Sequence, residues 1–241
     1  MMAASKSLPP EKKGHTTKDS PRFVSRFFAG DKRNGLREYI DNPANNPRVL
    51  GYNDDFVVIR DMYPKATVHL LILPRDPVKQ HQQMSEACHD TEFFSKLKRE
   101  AAKWRTLAAK ELARQLCPPT EPIPDRNWEA EIKVGIHSVP SMNHLHIHLI
   151  SRDMHSPYLR HKKHYNSFNT PFFVDLDDFP LSEEEADERK RDWHKVDMVC
   201  WRCHRNFENK FTALKEHLER EFQAWKAELV KPVKEEGLVS S

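Results

Sequence analysis

The chain has 241 residues and a mass of 28.4 kDa, room for one medium domain with a small module or tails. Charged residues make up 31%, mean hydropathy is −0.80, and there are only six Gly against 17 Pro. That excludes a collagen-like or glycine-linker protein, and no run approaches the ~18 apolar residues of a membrane helix. A net charge of +3 does not by itself announce a nucleic-acid binder, so such a claim must rest on local patches.

Residues 1–20 are polar and aperiodic, with no apolar stretch of a secretory signal, and read as a disordered basic arm. Residues 1–40 hold nine Lys/Arg against four Asp/Glu. A short helix is expected near Asn34–Ile40, stopped by Pro43 and Pro47. Val49–Tyr52, Phe56–Arg60 and Thr67–Leu73 are short, apolar and β-branched, as strands are. Glu86–Leu116 reads as a long helix, whole or broken: Phe94, Leu97, Ala101, Trp104, Ala108 and Leu112 recur at helical spacing before Pro118-Pro119. Glu129–His137 and His144–Ile150 read as two more strands. Five strands with one long helix before the last two indicate an α+β class.

Residues 154–174 contain no acid and carry Arg160, Lys162, Lys163, three His, two Tyr and three Phe. This basic aromatic stretch suits a DNA partner, with cations on phosphates and rings on exposed bases. Residues 175–188 then hold eight acids, and Ser182 with Glu185 forms a capping box. The expected organisation is an arm over 1–20, a main domain over 21–174, an acidic linker or helix over 175–199, a small module over 200–230 and a disordered tail over 231–241.

Four of the 14 His fall within twelve residues: His137, His144, His146 and His148. On a strand the last three share one face while Leu145, Ile147 and Leu149 share the other. Three imidazoles side by side suit either a metal or nucleophilic catalysis at phosphorus, where neutral imidazole attacks and forms a covalent intermediate. In the second reading Ser141 and the amides of the preceding turn donate to phosphate oxygens. Near the end of the chain, Cys200-x2-Cys203-x13-His217-x3-Glu221 resembles a Cys-Cys-His-His zinc finger, with Glu221 in the place of the fourth histidine. His217 and Glu221 are one helical turn apart, so a shared ion is geometrically sound. One structural Zn²⁺ per chain is expected; His204, next to Cys203, is a poorer candidate ligand.

The string His144-Leu-His146-Ile-His148-Leu-Ile resembles the signature of the histidine-triad hydrolases and transferases. More narrowly, Gly135-Ile-His137-Ser-Val-Pro-Ser141-Met-Asn-His144, Asp61-Met-Tyr-Pro64-Lys65 and Lys162-Lys163-His164-Tyr165-Asn166-Ser167-Phe168-Asn169-Thr170 resemble the aprataxin family, over roughly residues 30–229. The resemblance implies a five-stranded antiparallel sheet with helices and a ββα-type finger. It implies His146 as nucleophile on an adenylate, His144 and His148 as its flanking supports, and His137 at the leaving phosphate. Asp61 is then expected to receive ribose hydroxyls, Lys65 and His69 to support the pocket, and Leu36 to pack on adenine or a DNA end. The implied function is removal of 5′-adenylate from DNA ends left by abortive ligation, with AMP as product, and of guanylate from 3′ ends. A nuclear, monomeric enzyme with no catalytic divalent metal and no membrane partner is expected, of the shorter fungal type without a forkhead-associated domain. The alternatives are a small-molecule histidine-triad nucleotide hydrolase and a non-catalytic DNA-end-binding protein.

Overall fold

Short alternating apolar runs build the centre of the molecule. In the computed structural model, which describes residues 31–231, Val49–Tyr52 (β1), Phe56–Arg60 (β2), His69–Pro74 (β3), Ile132–His137 (β4), Ile147–Ser151 (β5) and Phe173–Asp175 (β6) form one sheet. Its order is β1-β2-β3-β5-β4-β6 and every pairing is antiparallel. The expected arm over 1–20 and the tail beyond 231 lie outside the described residues.

The five expected strands are present and a sixth joins them. Three residues are too few to show a period, so β6 has no signature of its own; it is defined by pairing Ile136 with Val174 and His137 with Phe173. The strand expected from His144 begins instead at Ile147, because Leu145 N–H donates to Gln80 O (2.8 Å), outside the sheet. The alternation nevertheless runs through the extended lead-in. Leu145, Ile147 and Leu149 face one apolar cluster, and Ile150 belongs to the opposite one.

The long helix is broken, as Asp90 dictates. Met84–Ala87 (α2) is separate from Thr91–Leu116 (α3), whose N-cap Asp90 accepts from Phe93 N–H at 3.0 Å. Leu97, Ala101, Trp104, Ala108 and Leu112 of α3 cover one face of the sheet against Val58, Ile72 and Leu149. On the other face, Arg37–Asp41 (α1) seals the β2–β3 end, and Lys162–Asn169 (α4) lies over the β5–β4–β6 end. Glu183–Arg189 (α5) starts at Ser182 with the full capping box.

The Cys200 segment shares the core of the sheet domain. Phe211–Leu229 (α6) sends Trp225 and Leu229 into the cluster beneath α3, while Leu214 and Leu218 join Ile150, Leu159 and Tyr165. The β part of the finger is a single antiparallel bridge, Val199 to Asn206. Tyr165, fully buried, donates its hydroxyl to Val199 O and accepts from Trp201 N–H, both at 2.9 Å, so α4 and the Cys200 turn are hydrogen-bonded through one phenol. All described residues belong to one compact unit, and among them no helix is long and apolar enough to cross a membrane.

Gly135 is required by close approach. It pairs with His148 on one side and Asp175 on the other, and a Cβ there would lie 2.2 Å from Val174 O and 2.7 Å from the Phe173 ring. Both obstacles belong to β6, so the backbone itself would have to move. Gly135→Ala is expected to destabilise the fold by about 1–3 kcal/mol and to lower activity by displacing Phe173. Thermal unfolding of the variant checks this, and an unchanged midpoint would contradict it.

Candidate active site and metal centre

The sheet places the histidines where β5 meets its neighbours. His148 lies opposite Leu71 on β3 and Gly135 on β4; His69, at the start of β3, lies opposite Ile150. His144, His146, His148 and His69 are all at least nine-tenths buried. His148 stands at the hub of a ring cluster: its centroid is 5.0 Å from that of His146, 5.2 Å from His69 and 4.5 Å from His137. Phe168 of α4 closes over this cluster, edge-on to His69 and His148.

The tautomers follow from the hydrogen-bond network. Lys65 N–H donates to His69 Nδ1 (3.2 Å), so neutral His69 carries its proton on Nε2. That Nε2–H donates to His148 Nδ1 at 2.9 Å, which puts the His148 proton on Nε2. His146 Nδ1–H donates to the carbonyl of His144 at 2.8 Å, leaving a bare lone pair on His146 Nε2. The rings are held neutral. Burial lowers the His146 pKa, lowers His69 to about 4, and pushes His137 and His148 well below the usual histidine range, with neighbouring histidines adding to the last two.

Asp61 enters from the turn after β2, where its own N–H donates to His69 O. Its Oδ1 accepts from Tyr63 N–H at 2.6 Å and its Oδ2 lies 3.7 Å from His69 Nε2. Lys65 stands beside it, its pKa lowered by burial. Ser141 is exposed on the loop leading to His144. That loop is anchored by Asn143, whose N–H donates to Arg33 O (3.0 Å) and whose amide donates to Asn34 Oδ1 (2.8 Å). Leu36 is buried with Tyr39, Ile59 and Leu71, so its side chain is part of the α1 core. A cavity of about 230 Å³ adjoins His144 and His146, walled by Met84, Phe179, Leu181 and Arg189. The acidic segment therefore contributes to the site's surroundings through α5.

The basic aromatic stretch is corrected by the structure. Tyr165, Phe168, Phe172 and Phe173 are buried core residues, unavailable for stacking on bases; Tyr158 is half-buried, under the Arg160 guanidinium. Lys162 is also not a free cation: its ammonium donates to Lys195 O (2.9 Å) and to Asn209 Oδ1, tying α4 to the finger. Arg160 and Lys163 are exposed, and the Lys163 ammonium makes no hydrogen bond or ion pair among the described residues. Lys133, not singled out from sequence, donates to Phe168 O and lies 4.6 Å from the Phe173 ring centre; burial lowers its pKa to about 8. It fixes the C-terminal end of α4 over the histidines. His194, also unforeseen, packs on Phe172 at 4.4 Å. Both interactions join segments far apart in sequence and leave no local pattern.

The Cys200, Cys203, His217 and Glu221 ligand atoms lie within 4.8 Å of one another. Cys203 Sγ is 3.1 Å from His217 Nε2, which is 3.3 Å from Glu221 Oε1. Two thiols, an imidazole and a carboxylate on one small turn and one helix face fit Zn²⁺ and leave no open ligand position. Arg202, between the two cysteines, donates to Glu221 Oε2 at 2.5 Å, so Oε1 is the oxygen left for the metal. His204 is exposed, with φ +59°, outside this set.

Comparison with known proteins agrees with this geometry. The family described as scavenger mRNA decapping enzyme C-terminal binding matches residues 36–164, and the C2HE/C2H2/C2HC zinc-binding finger matches 169–224. The aprataxin-like protein of Saccharomyces cerevisiae is 38% identical over 80% of this chain and 96% of its own length; that of Schizosaccharomyces pombe is 35% identical over 80% and 82%. The crystal structure of the aprataxin ortholog Hnt3 in complex with DNA superposes with a TM-score of 0.70 at 34% identity, covering 82% of this chain and 98% of that one. Fold and site together define a histidine-triad protein of the nucleotide-hydrolase kind, joined to a C2HE zinc finger. Within that class, the chain belongs to the aprataxin family.

The metal centre yields a graded prediction. Glu221→Ala opens one coordination position and is expected to speed zinc release to a chelator, whereas Glu221→His retains the ion. Arg202→Ala, which frees the carboxylate without removing it, is expected to weaken zinc affinity by about tenfold or more. Zinc competition titrations of the three variants check the order; wild-type affinity in Glu221→Ala would remove Glu221 from the ligand set.

Proposed function

We propose that the protein hydrolyses the 5′–5′ pyrophosphate link of adenylated DNA ends, giving AMP and a 5′-phosphate end. The carrying observation is the unprotonated His146 Nε2, left bare by the Nδ1–H bond to His144 O, beside the neutral imidazole of His148. His146 Nε2 attacks the α-phosphorus, an AMP–His146 phosphoramidate forms, and the bond to the bridging oxygen breaks. Water then attacks the same phosphorus, and AMP leaves with a proton returned to solvent. His148 Nε2–H donates to a nonbridging oxygen, and Ser141 with its loop amides joins it. His137 supports the departing phosphate. Asp61, its Oδ2 not fully engaged, accepts the ribose hydroxyls.

A DNA substrate is supported by the structures of the relative Hnt3 with DNA and with DNA and guanosine; the second supports guanylate-capped 3′ ends as further substrates. We extend the proposal to a nuclear, monomeric enzyme whose chemistry needs no divalent metal. Asp61, His69 and His148 do cluster as metal ligands would. Yet His69 spends Nδ1 on the Lys65 amide and carries a proton on Nε2, so it offers a cation no lone pair.

The test is incubation of purified protein with 5′-adenylated nicked duplex, trapping the intermediate for peptide mapping. AMP on His146 is expected, and His146→Ala should lose ~10⁴-fold or more in turnover. Label elsewhere, or full activity in the variant, would refute the proposal. Because the His146 pKa is lowered, the free enzyme protonates its nucleophile only below the ordinary value of about 6.5. The acid limb of kcat/KM is therefore expected below pH 6.5, with activity falling as pH falls through it. A limb centred above that value would contradict the assigned burial.

Neutralising Arg160 and Lys163 is expected to weaken DNA binding and to reduce the log–log salt slope by about 1 for each phosphate no longer neutralised. Lys162→Ala should instead lower thermal stability and leave the slope unchanged. Equal slopes for wild type and the Arg160/Lys163 double variant would refute the phosphate assignment.

A further inference from the structure

The His146 tautomer rests on one acceptor, the carbonyl of His144, and that carbonyl is not free to turn. A peptide unit is planar and trans, so its C=O and the following N–H point to opposite sides and rotate together. The unit joining His144 to Leu145 is bonded on both sides. His144 O accepts from His146 Nδ1–H at 2.8 Å, and Leu145 N–H donates to Gln80 O at 2.8 Å. Because β5 begins only at Ile147, the sheet ladder does not steady this unit. The Gln80 carbonyl does.

Gln80 is presented by a turn that one side chain builds. Asp76, exposed just after β3, accepts from Val78 N–H and Lys79 N–H through the same Oδ1, both at 2.8 Å. Its backbone carbonyl accepts from Gln80 N–H at 3.0 Å. A carboxylate that bonds the backbone two and three residues on closes a turn without help from the core. Lys79 ties the turn to α3 through an ion pair with the N-cap Asp90 at 3.0 Å. One residue past the Gln80 carbonyl, the His81 ring lies 5.0 Å from that of His144, so the turn sits against the triad. Asp76 itself is not among the residues lining the cavity at His144 and His146, and its hydrogen bonds stay within the turn.

We infer that Asp76 is a positioning residue for the nucleophile: through the turn it caps, Gln80 O holds the His144–Leu145 peptide plane, and that plane keeps the His146 proton on Nδ1. This rests on the reading of His146 as nucleophile and adds the element that sets its tautomer. Without the cap the turn loosens, the plane rocks and the acceptor weakens. The other neutral tautomer of His146, protonated on Nε2 and lacking a lone pair for phosphorus, is then populated.

The test compares full-length wild type with Asp76→Ala and Asp76→Asn. Asn keeps an oxygen in the same place without the charge, so it retains the cap. On 5′-adenylated nicked duplex, Asp76→Ala is expected to lower kcat about tenfold with KM within about twofold, and Asp76→Asn to stay within about twofold of wild type in both. Long-range proton–nitrogen spectra near neutral pH are expected to show His146 protonated on Nδ1 in wild type and Asp76→Asn, and a mixture of tautomers in Asp76→Ala, with His69 and His148 unchanged. Asp76→Glu, one methylene too long for the cap, is expected to follow Asp76→Ala and takes its place if the alanine variant does not fold. An unmixed His146 in Asp76→Ala, whatever its kcat, or an Asp76→Asn as impaired as Asp76→Ala, overturns the inference. Mixed tautomers with kcat undiminished leave the positioning intact and overturn His146 as nucleophile. The spectra need no turnover, so failure of wild type to release AMP would overturn the proposed reaction and leave this inference to be decided by the tautomers.

Discussion

The hydrogen bond from the Lys65 amide to His69 Nδ1 is the constraint on which the site depends. It fixes the His69 proton on Nε2, which fixes the His148 proton on Nε2 through one 2.9 Å bond. His148 is thus left with an N–H on Nε2, while His146 shows a lone pair on Nε2 because its own Nδ1–H is committed to a backbone carbonyl. Burial of all three rings disfavours their charged forms, so an N–H and a bare lone pair coexist on neighbouring neutral rings, His148 and His146, with centroids 5.0 Å apart. In water these tautomers would exchange freely.

That arrangement needs a roof, and the roof explains the second module. Phe168 covers His69 and His148 from α4, and α4 is held from three sides. Lys133 takes its C-terminal end, Tyr165 joins it to the Cys200 turn, and Lys162 joins it to the start of α6. The finger is further docked by His155, stacked on Phe222 at 3.9 Å and donating to Glu219 at 2.7 Å, and by Lys215 donating to Leu159 O at 2.8 Å. Zinc bound by Cys200 and its partners would therefore support α4 as well as the finger's own fold. The candidate metal centre and the imidazole cluster are linked by ordinary packing.

What can be read from the chain follows from the range of each interaction. Period-two alternation through His144–Ile150 marks its two faces, and ligand spacing marks the metal site, because both are local. The Asp90 cap is equally local, although the helix pattern runs across it. β6 is too short to carry a period. Composition alone does not tell an aromatic residue that faces solvent from one that faces the core, so the rings between Tyr165 and Phe173 read as a stacking surface and prove to be interior. Lys162, Lys133, Arg202 and His194 act through partners brought close only by the fold, and the sequence offers no spacing that reveals them.

The chemistry of the site depends on where the protons sit, and nitrogen NMR of imidazole-labelled protein near pH 7 reads that directly. Long-range proton–nitrogen correlations should show His146 protonated on Nδ1 with a bare Nε2, and His69 and His148 both protonated on Nε2. Lys65→Pro, which deletes the amide donor, should release His69 into a mixture of tautomers. A His146 protonated on Nε2, or doubly protonated at that pH, would contradict the account at its centre.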